Sequence, residues 1–223
     1  IQTRNESVLG DLFSDACGNV GAIFNALVLC KIMNITDFNS CWYIVQTLQL
    51  GLLRHHVKAF KNGYLHYPTL TGPNAAFFWF GLITVIHIVA DDVAFSFIRE
   101  IFRVESLLAL AYWALIIYSA FEAATLPFSS RNGILFCLLY RSLPGLLRFM
   151  GLTQDENLIG IVCDGLFMSM LTTDMIVGRK AGRDLHPWIV LFAMASLLNN
   201  FLTLFLVAFY YISLFYGISQ YLN

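Results

Sequence analysis

Long apolar runs broken by short polar clusters organise this chain. The runs cover Cys17–Met33, Cys41–Leu53 with an extension toward Val57, Ala75–Ala90, Leu107–Ala120 continuing to Pro127, Ile134–Met150, Leu158–Val177 and Pro187–Leu222. Asp91 and Asp92 end the third run, and Arg141 and Pro144 interrupt the fifth. The last run holds Asn199, Asn200 and Gln220 as its strongly polar residues. Continuous runs predict helices, because the strands of a membrane barrel are shorter and alternate in polarity. A crossing takes roughly 20 residues, so the last run is either one long kinked helix or a hairpin turning at Asn199-Asn200. Between the third and fourth runs, Val93, Phe95, Phe97, Ile98, Ile101 and Phe102 interleave with Asp92, Arg99, Glu100 and Arg103. That mixture over Asp91–Val104 predicts a short helix lying in the membrane interface. The expected fold is all-α: a polytopic transmembrane helical bundle of about six to eight spans forming one domain.

Composition strengthens this picture. Of 223 residues, 58% are hydrophobic and only 12% are charged, against about a quarter charged in soluble domains. The polar residues cannot cover a water-facing surface of that size, so apolar side chains must face lipid, where helices satisfy their own backbone groups. A net charge of −1 implies no nucleic-acid partner. The five cysteines lack the close spacing of a zinc site or a disulfide framework, so no metal is expected from them.

Charge placement orients the map. If the helices alternate in direction, one side receives Arg4, Arg54, Lys58, Lys61, Arg131, Arg179, Lys180 and Arg183. The other receives Lys31, Arg99, Arg103 and Arg148 mixed with Asp37, Asp91, Asp92, Glu100, Asp155 and Glu156. The basic side, which holds the N-terminus, is expected to face cytosol or matrix. Arg4, Arg54, His55, Lys58 and Arg131 are the expected contacts to anionic phospholipid headgroups, with His55-His56 acting as interfacial anchors. Arg141 and Asp164 fall inside apolar runs, where charges need partners, and an Arg141–Asp164 pair is expected. Trp42, Trp79, Trp113 and Trp188 suit an interfacial belt or the core. Asn25, Asn199 and Asn200 are expected to hydrogen-bond between helices.

The polar N-terminal segment carries a resemblance. Gln2-Thr3-Arg4, then Leu9-Gly10-Asp11-Leu12-Phe13, then Cys17 resemble the second half of the CDP-alcohol phosphotransferase signature, D-G-x2-A-R-x8-G-x3-D-x3-D, in the form found in eukaryotic choline/ethanolamine phosphotransferases. Leu65 to Pro73 resembles the family's L-x-L-P-x-x-N-G-P element, and Ser130-Arg131-Asn132-Gly133 its S-R-N-G element. The resemblance implies the family's helical bundle. It also implies aspartates that hold Mg²⁺ or Mn²⁺ while a phospho-alcohol passes from a CDP-alcohol to diacylglycerol. The sequence departs from the pattern at the metal positions. Counting from Gly10, the two aspartates should stand where Ser14 and Gly18 do. The D-G pair would precede Ile1, so the chain reads as N-terminally shortened. Ala75 and Ala76 replace the glutamate and glycine of N-G-P-T-E-G, and Val57-Lys58-Ala59-Phe60 stands for W-E-H-Y.

Two readings of the remaining acids stay open. Asp11 and Asp15 are four apart, hence on one helix face, and suit a shifted metal pair. They suit the positive end of a helix dipole better. Asp164-Gly165 is no displaced signature, because Met168-Ser169 stands where A-R should follow. The leading expectation is therefore a non-catalytic, lipid-binding accessory subunit of a larger membrane complex, without cofactor, in the mitochondrial inner membrane or the endoplasmic reticulum/Golgi. The alternative is an active choline/ethanolamine phosphotransferase using Mg²⁺ or Mn²⁺. A transporter is a third class, and no inverted repeat supports it.

Overall fold

The computed structural model describes residues 8–65, 73–89, 96–97, 100–101, 104–151 and 157–222. Among them the apolar runs become helices: α1 Val8–Ile32, α2 Phe38–Asn62, α3 Pro73–Val89, α4 Glu105–Ala124, α5 Phe128–Phe149, α6 Leu158–Ala181, α7 Pro187–Ala195 and α8 Asn200–Leu222. The expected interfacial helix over Asp91–Val104 lies mostly outside the described residues.

Capping chemistry sets the ends. The carboxylate of Asp37 accepts the Ser40 N–H at 2.7 Å, which starts α2 ahead of its apolar run. Gly63, at φ 78°, closes it by donating to the Ala59 carbonyl. Asn157 accepts the Gly160 N–H to start α6, and Gly182, at φ 63°, ends it. Pro144 does not break α5, which begins six residues before its apolar run and continues to Phe149.

The last run is a hairpin. Asn199 Oδ1 accepts the Phe201 N–H at 2.7 Å and so caps α8. The Thr203 hydroxyl sits 3.2 Å from the Ser196 carbonyl and 3.1 Å from that of Asn199, closing the turn. Asn199 thus spends its amide on its own turn, not on another helix. The Asn200 backbone carbonyl, not its side chain, receives Cys163 Sγ. Asn25 points outward from α1. These placements correct the expectation of interhelical asparagine bonds.

Interhelix contacts fix the directions. Lys180 meets Asp11 and Asp15. Leu12, Ile176 and Val177 pack with Ile218, Ser130 bonds Asp184, and Phe60 lies beside Gly178. One end of the bundle therefore gathers the starts of α1 and α5 with the finishes of α2, α6 and α8. At the opposite end Arg148 meets Asn39, Trp42 meets Asp164, and Cys163 meets Asn200. Helix α6 is central, packing on α1, α2 and α8, and 78% of its apolar window is buried. Leu110, Ile117 and Phe121 of α4, and Phe201, Phe205, Phe209 and Ile212 of α8, stay exposed, as lipid-facing stripes should.

Among the described residues, four helices are long and apolar enough to cross a membrane: Gly10–Ile32, Glu105–Ala124, Leu158–Ala181 and Asn200–Gln220. The others fall short for identifiable reasons. Helix α2 carries Gln46, Gln49, Arg54, His55, His56 and Lys58, and α5 carries Arg131, Arg141 and Arg148. Helix α3 has 17 residues and α7 has 9. Helices α2 and α5 nonetheless bury much of their surface inside the bundle, so tertiary packing rather than hydropathy places them.

Glycines permit close approaches between helices. A Cβ on Gly165 would meet Ile23 at 3.0 Å, and one on Gly145 would meet Tyr112 Cε1 at 2.5 Å. We expect Gly145→Val to destabilise the bundle by about 1–3 kcal/mol through overpacking. Gly18→Ala, where an added Cβ meets nothing within 4 Å, is expected to hold or slightly raise the unfolding temperature, because alanine favours the helix interior. Thermal unfolding in detergent compares the two.

Candidate functional site

The first candidate is the N-terminal part of α1. Leu12, Ala16, Asn19 and Ile23 form its buried face. Ser14 and Gly18, the positions corresponding to metal aspartates, are exposed on another face. Asp11 and Asp15 do share a face, as their spacing requires, and it is turned toward the end of α6. There Lys180 Nζ lies 3.6 Å from Asp11 Oδ2 and 3.8 Å from Asp15 Oδ2. An ammonium therefore holds the position a cation between those two carboxylates would take. Mg²⁺ needs six oxygen ligands, several of them anionic. No group of three His, Cys, Asp or Glu suited to a metal occurs among the described residues. The residues present do not fit a pair of divalent cations. Sequence spacing alone missed Lys180, because its proximity depends on α6 running back to the start of α1.

The second candidate is the basic rim. Arg54, His55 and Lys58 lie toward the finish of α2 and Arg131 in the first turn of α5, at the same end as Lys180 and Arg183. Arg4 lies outside the described residues. Arg54 is held with its guanidinium 4.0 Å over the Tyr118 ring, a cation–π contact that fixes its direction. Lys58 is exposed and His55 is half-buried. His56, expected beside it as an interfacial anchor, is instead buried in the core at 3% exposure, because it falls on the inner face of α2. A recess of about 510 Å³ opens at this end, lined by Gly133, Arg183, Asp184, Leu185, His186 and Val190 together with Pro187.

Arg183 and His186 are positioned from below by Asp174, a fully buried carboxylate. Asp174 accepts from Arg183 Nη2 at 2.6 Å, from the His186 backbone N–H at 2.8 Å and from the Tyr210 hydroxyl at 2.9 Å. In the sequence Asp174 stands out only as the acid ten residues after Asp164 in a rejected displaced signature, and its anchoring role is missed although an acid inside the sixth apolar run is the available signal.

The third candidate lies in the interior, where the expected Arg141–Asp164 pair forms. Arg141 Nη2 stands 2.8 Å from Asp164 Oδ1, with the arginine side chain 1% exposed and the aspartate 16%. Trp42 Nε1 donates to the other oxygen of Asp164 at 2.7 Å. Arg148 lies 4.2 Å over the Trp42 ring, and the Tyr112 hydroxyl donates to the Arg141 carbonyl at 2.7 Å. Trp42 belongs to the core, whereas Trp79 and Trp188 are exposed.

Comparison with protein-family models, with curated proteins and with solved structures finds no match.

Breaking one side of a buried pair leaves a charge without compensation, at about 3–5 kcal/mol. We expect Arg141→Met and Asp164→Leu each to lower folded yield sharply, and the double variant to recover most of it. Fluorescence-detected size exclusion of the tagged chain measures this.

Proposed function

We propose that this chain is a non-catalytic, CDP-alcohol phosphotransferase-like membrane bundle, serving as a structural, lipid-binding accessory subunit of a larger membrane complex. The observation that carries the reading is Lys180 between Asp11 and Asp15. A phosphoryl-transfer site needs positive charge presented to the diphosphate and a free carboxylate to take the acceptor proton. Here the carboxylates that the sequence offered are committed to an internal cation, and Ser14 and Gly18 bring no replacement.

The basic rim supports lipid binding. Arg54, His55, Lys58 and Arg131 share one end with Lys180 and Arg183, at the level where phosphate headgroups would lie. The recess between Gly133 and Val190 is mostly apolar and carries Arg183 and His186 at its edge, a combination suited to a headgroup above an acyl chain. In this reading the bundle has about six to eight spans. The four apolar helices contact lipid, α2, α3 and α5 are carried across by their neighbours, and α7, with 9 residues, is too short to cross by itself. The basic end faces cytosol or matrix, and the membrane is the mitochondrial inner membrane or that of the endoplasmic reticulum/Golgi.

The purified protein, given labelled CDP-ethanolamine or CDP-choline, diacylglycerol and Mg²⁺ or Mn²⁺, is expected to form no phospholipid product. Turnover that disappears in Asp15→Ala would overturn the non-catalytic reading. Native electrophoresis of mildly solubilised membranes is expected to show the chain in a large assembly; migration of all of it as a free monomer would refute the subunit role.

A further inference from the structure

Polar side chains line the inside of the bundle where α1, α2 and α6 meet. On α2, Trp42, Gln46, Gln49, Leu53 and His56 recur at alternating spacings of four and three, which puts them on one face. All five are buried. Gln49 Nε2 donates to the Asn19 backbone carbonyl of α1 at 2.9 Å. Around that contact, Asn19 Nδ2, Gln49 Oε1 and Gln46 Nε2 reach no hydrogen-bond partner in the protein. Toward the start of α2, beside Trp42 and Asp164, Arg141 Nε and Nη1 also lack an acceptor. None of Asn19, Gln46, Gln49 and Arg141 is more than 4% exposed.

Buried amides left unsatisfied are strongly disfavoured. Turning the Gln49 amide over does not help, because its oxygen would then face the Asn19 carbonyl oxygen. The open groups are of both kinds: donors on Asn19 and Gln46, an acceptor on Gln49. An anion would leave the Gln49 oxygen unmet, a metal cation would face the amide N–H groups, and an apolar ligand would satisfy nothing. A molecule that donates and accepts at once fits, and at this size that molecule is water.

We propose that the junction of α1, α2 and α6 is an internal hydration site, built by Asn19, Gln46 and Gln49 and holding about one or two ordered waters. The site is closed. Leu53, fully buried, seals it toward the basic end, and close packing of Ile23 on Gly165 seals the α1–α6 side. The Arg141–Asp164 pair, its arginine 1% exposed, closes the other end. The water is held as structure and is not conducted.

Electron cryomicroscopy of the full chain in lipid nanodiscs, at a resolution that shows water, tests the site. Density is expected within about 3.2 Å of both Asn19 Nδ2 and Gln49 Oε1. A dry contact in which those atoms bond other protein groups overturns the proposal. Hydroxyl-radical labelling of the unaltered protein in ¹⁸O-water gives a check that needs no variant. After normalisation to each side chain's intrinsic reactivity, labelling at core residues beside the junction, such as Trp42, is expected above that at dry core residues such as Ile134, and labelling no higher counts against bound water. In proteoliposomes under a pH gradient, proton flux equal to that of empty vesicles is expected; a protein-dependent flux would overturn the closed description.

Discussion

A buried ion pair sets the register of this bundle. Arg141 of α5 and Asp164 of α6 can meet only if their helices sit at one relative height, and Trp42 adds α2 by donating to the same carboxylate. In an apolar interior such a contact tolerates little sliding, because any displacement leaves a charge without a partner. Neighbouring contacts exploit the fixed height. The Tyr112 hydroxyl reaches the Arg141 carbonyl, Gly145 leaves room for the tyrosine ring, and Arg148 covers the face of Trp42. Hydrophobic burial inside a membrane cannot choose among alternative helix registers, since lipid is as apolar as the side chains it replaces. Polar contacts make the choice.

Much of the architecture was legible in the apolar runs. They located the helices, though α1 begins nine residues before its run, and the cost of a charge in hydrocarbon led directly to the Arg141–Asp164 pair. What stayed illegible was decided by tertiary contacts. Whether 187–222 turned or merely kinked depended on Asn199 accepting its own helix's N–H, and on Thr203 bridging back to Ser196. Helix α2 reads as a poor span, since its polar residues recur along it, yet they are polar on the inner face, where Asp164 and Asn19 meet them. The resemblance predicted where carboxylates ought to stand along the chain. It did not predict that Ser14 and Gly18 would face outward while Asp11 and Asp15 turned to α6.

The same distinction governs the functional reading. A sequence motif records spacing along one helix, whereas a metal site is a volume shared by several. At the start of α1 that volume contains an amine. The proposed lipid contact at the basic rim asks for less, because charges near a membrane surface work collectively and without fine geometry.

The polar inner face of α2 bears on how the chain enters a bilayer. A segment bearing Gln46, Gln49, Arg54, His55 and His56 is unfavourable to release into lipid alone. It becomes acceptable once Gln49 has found the Asn19 carbonyl and α4 and α6 have covered its remaining sides. Trp42, at the head of the same face, bonds a carboxylate 122 positions downstream, so one helix face in the first third of the chain is completed only once α6 has been made.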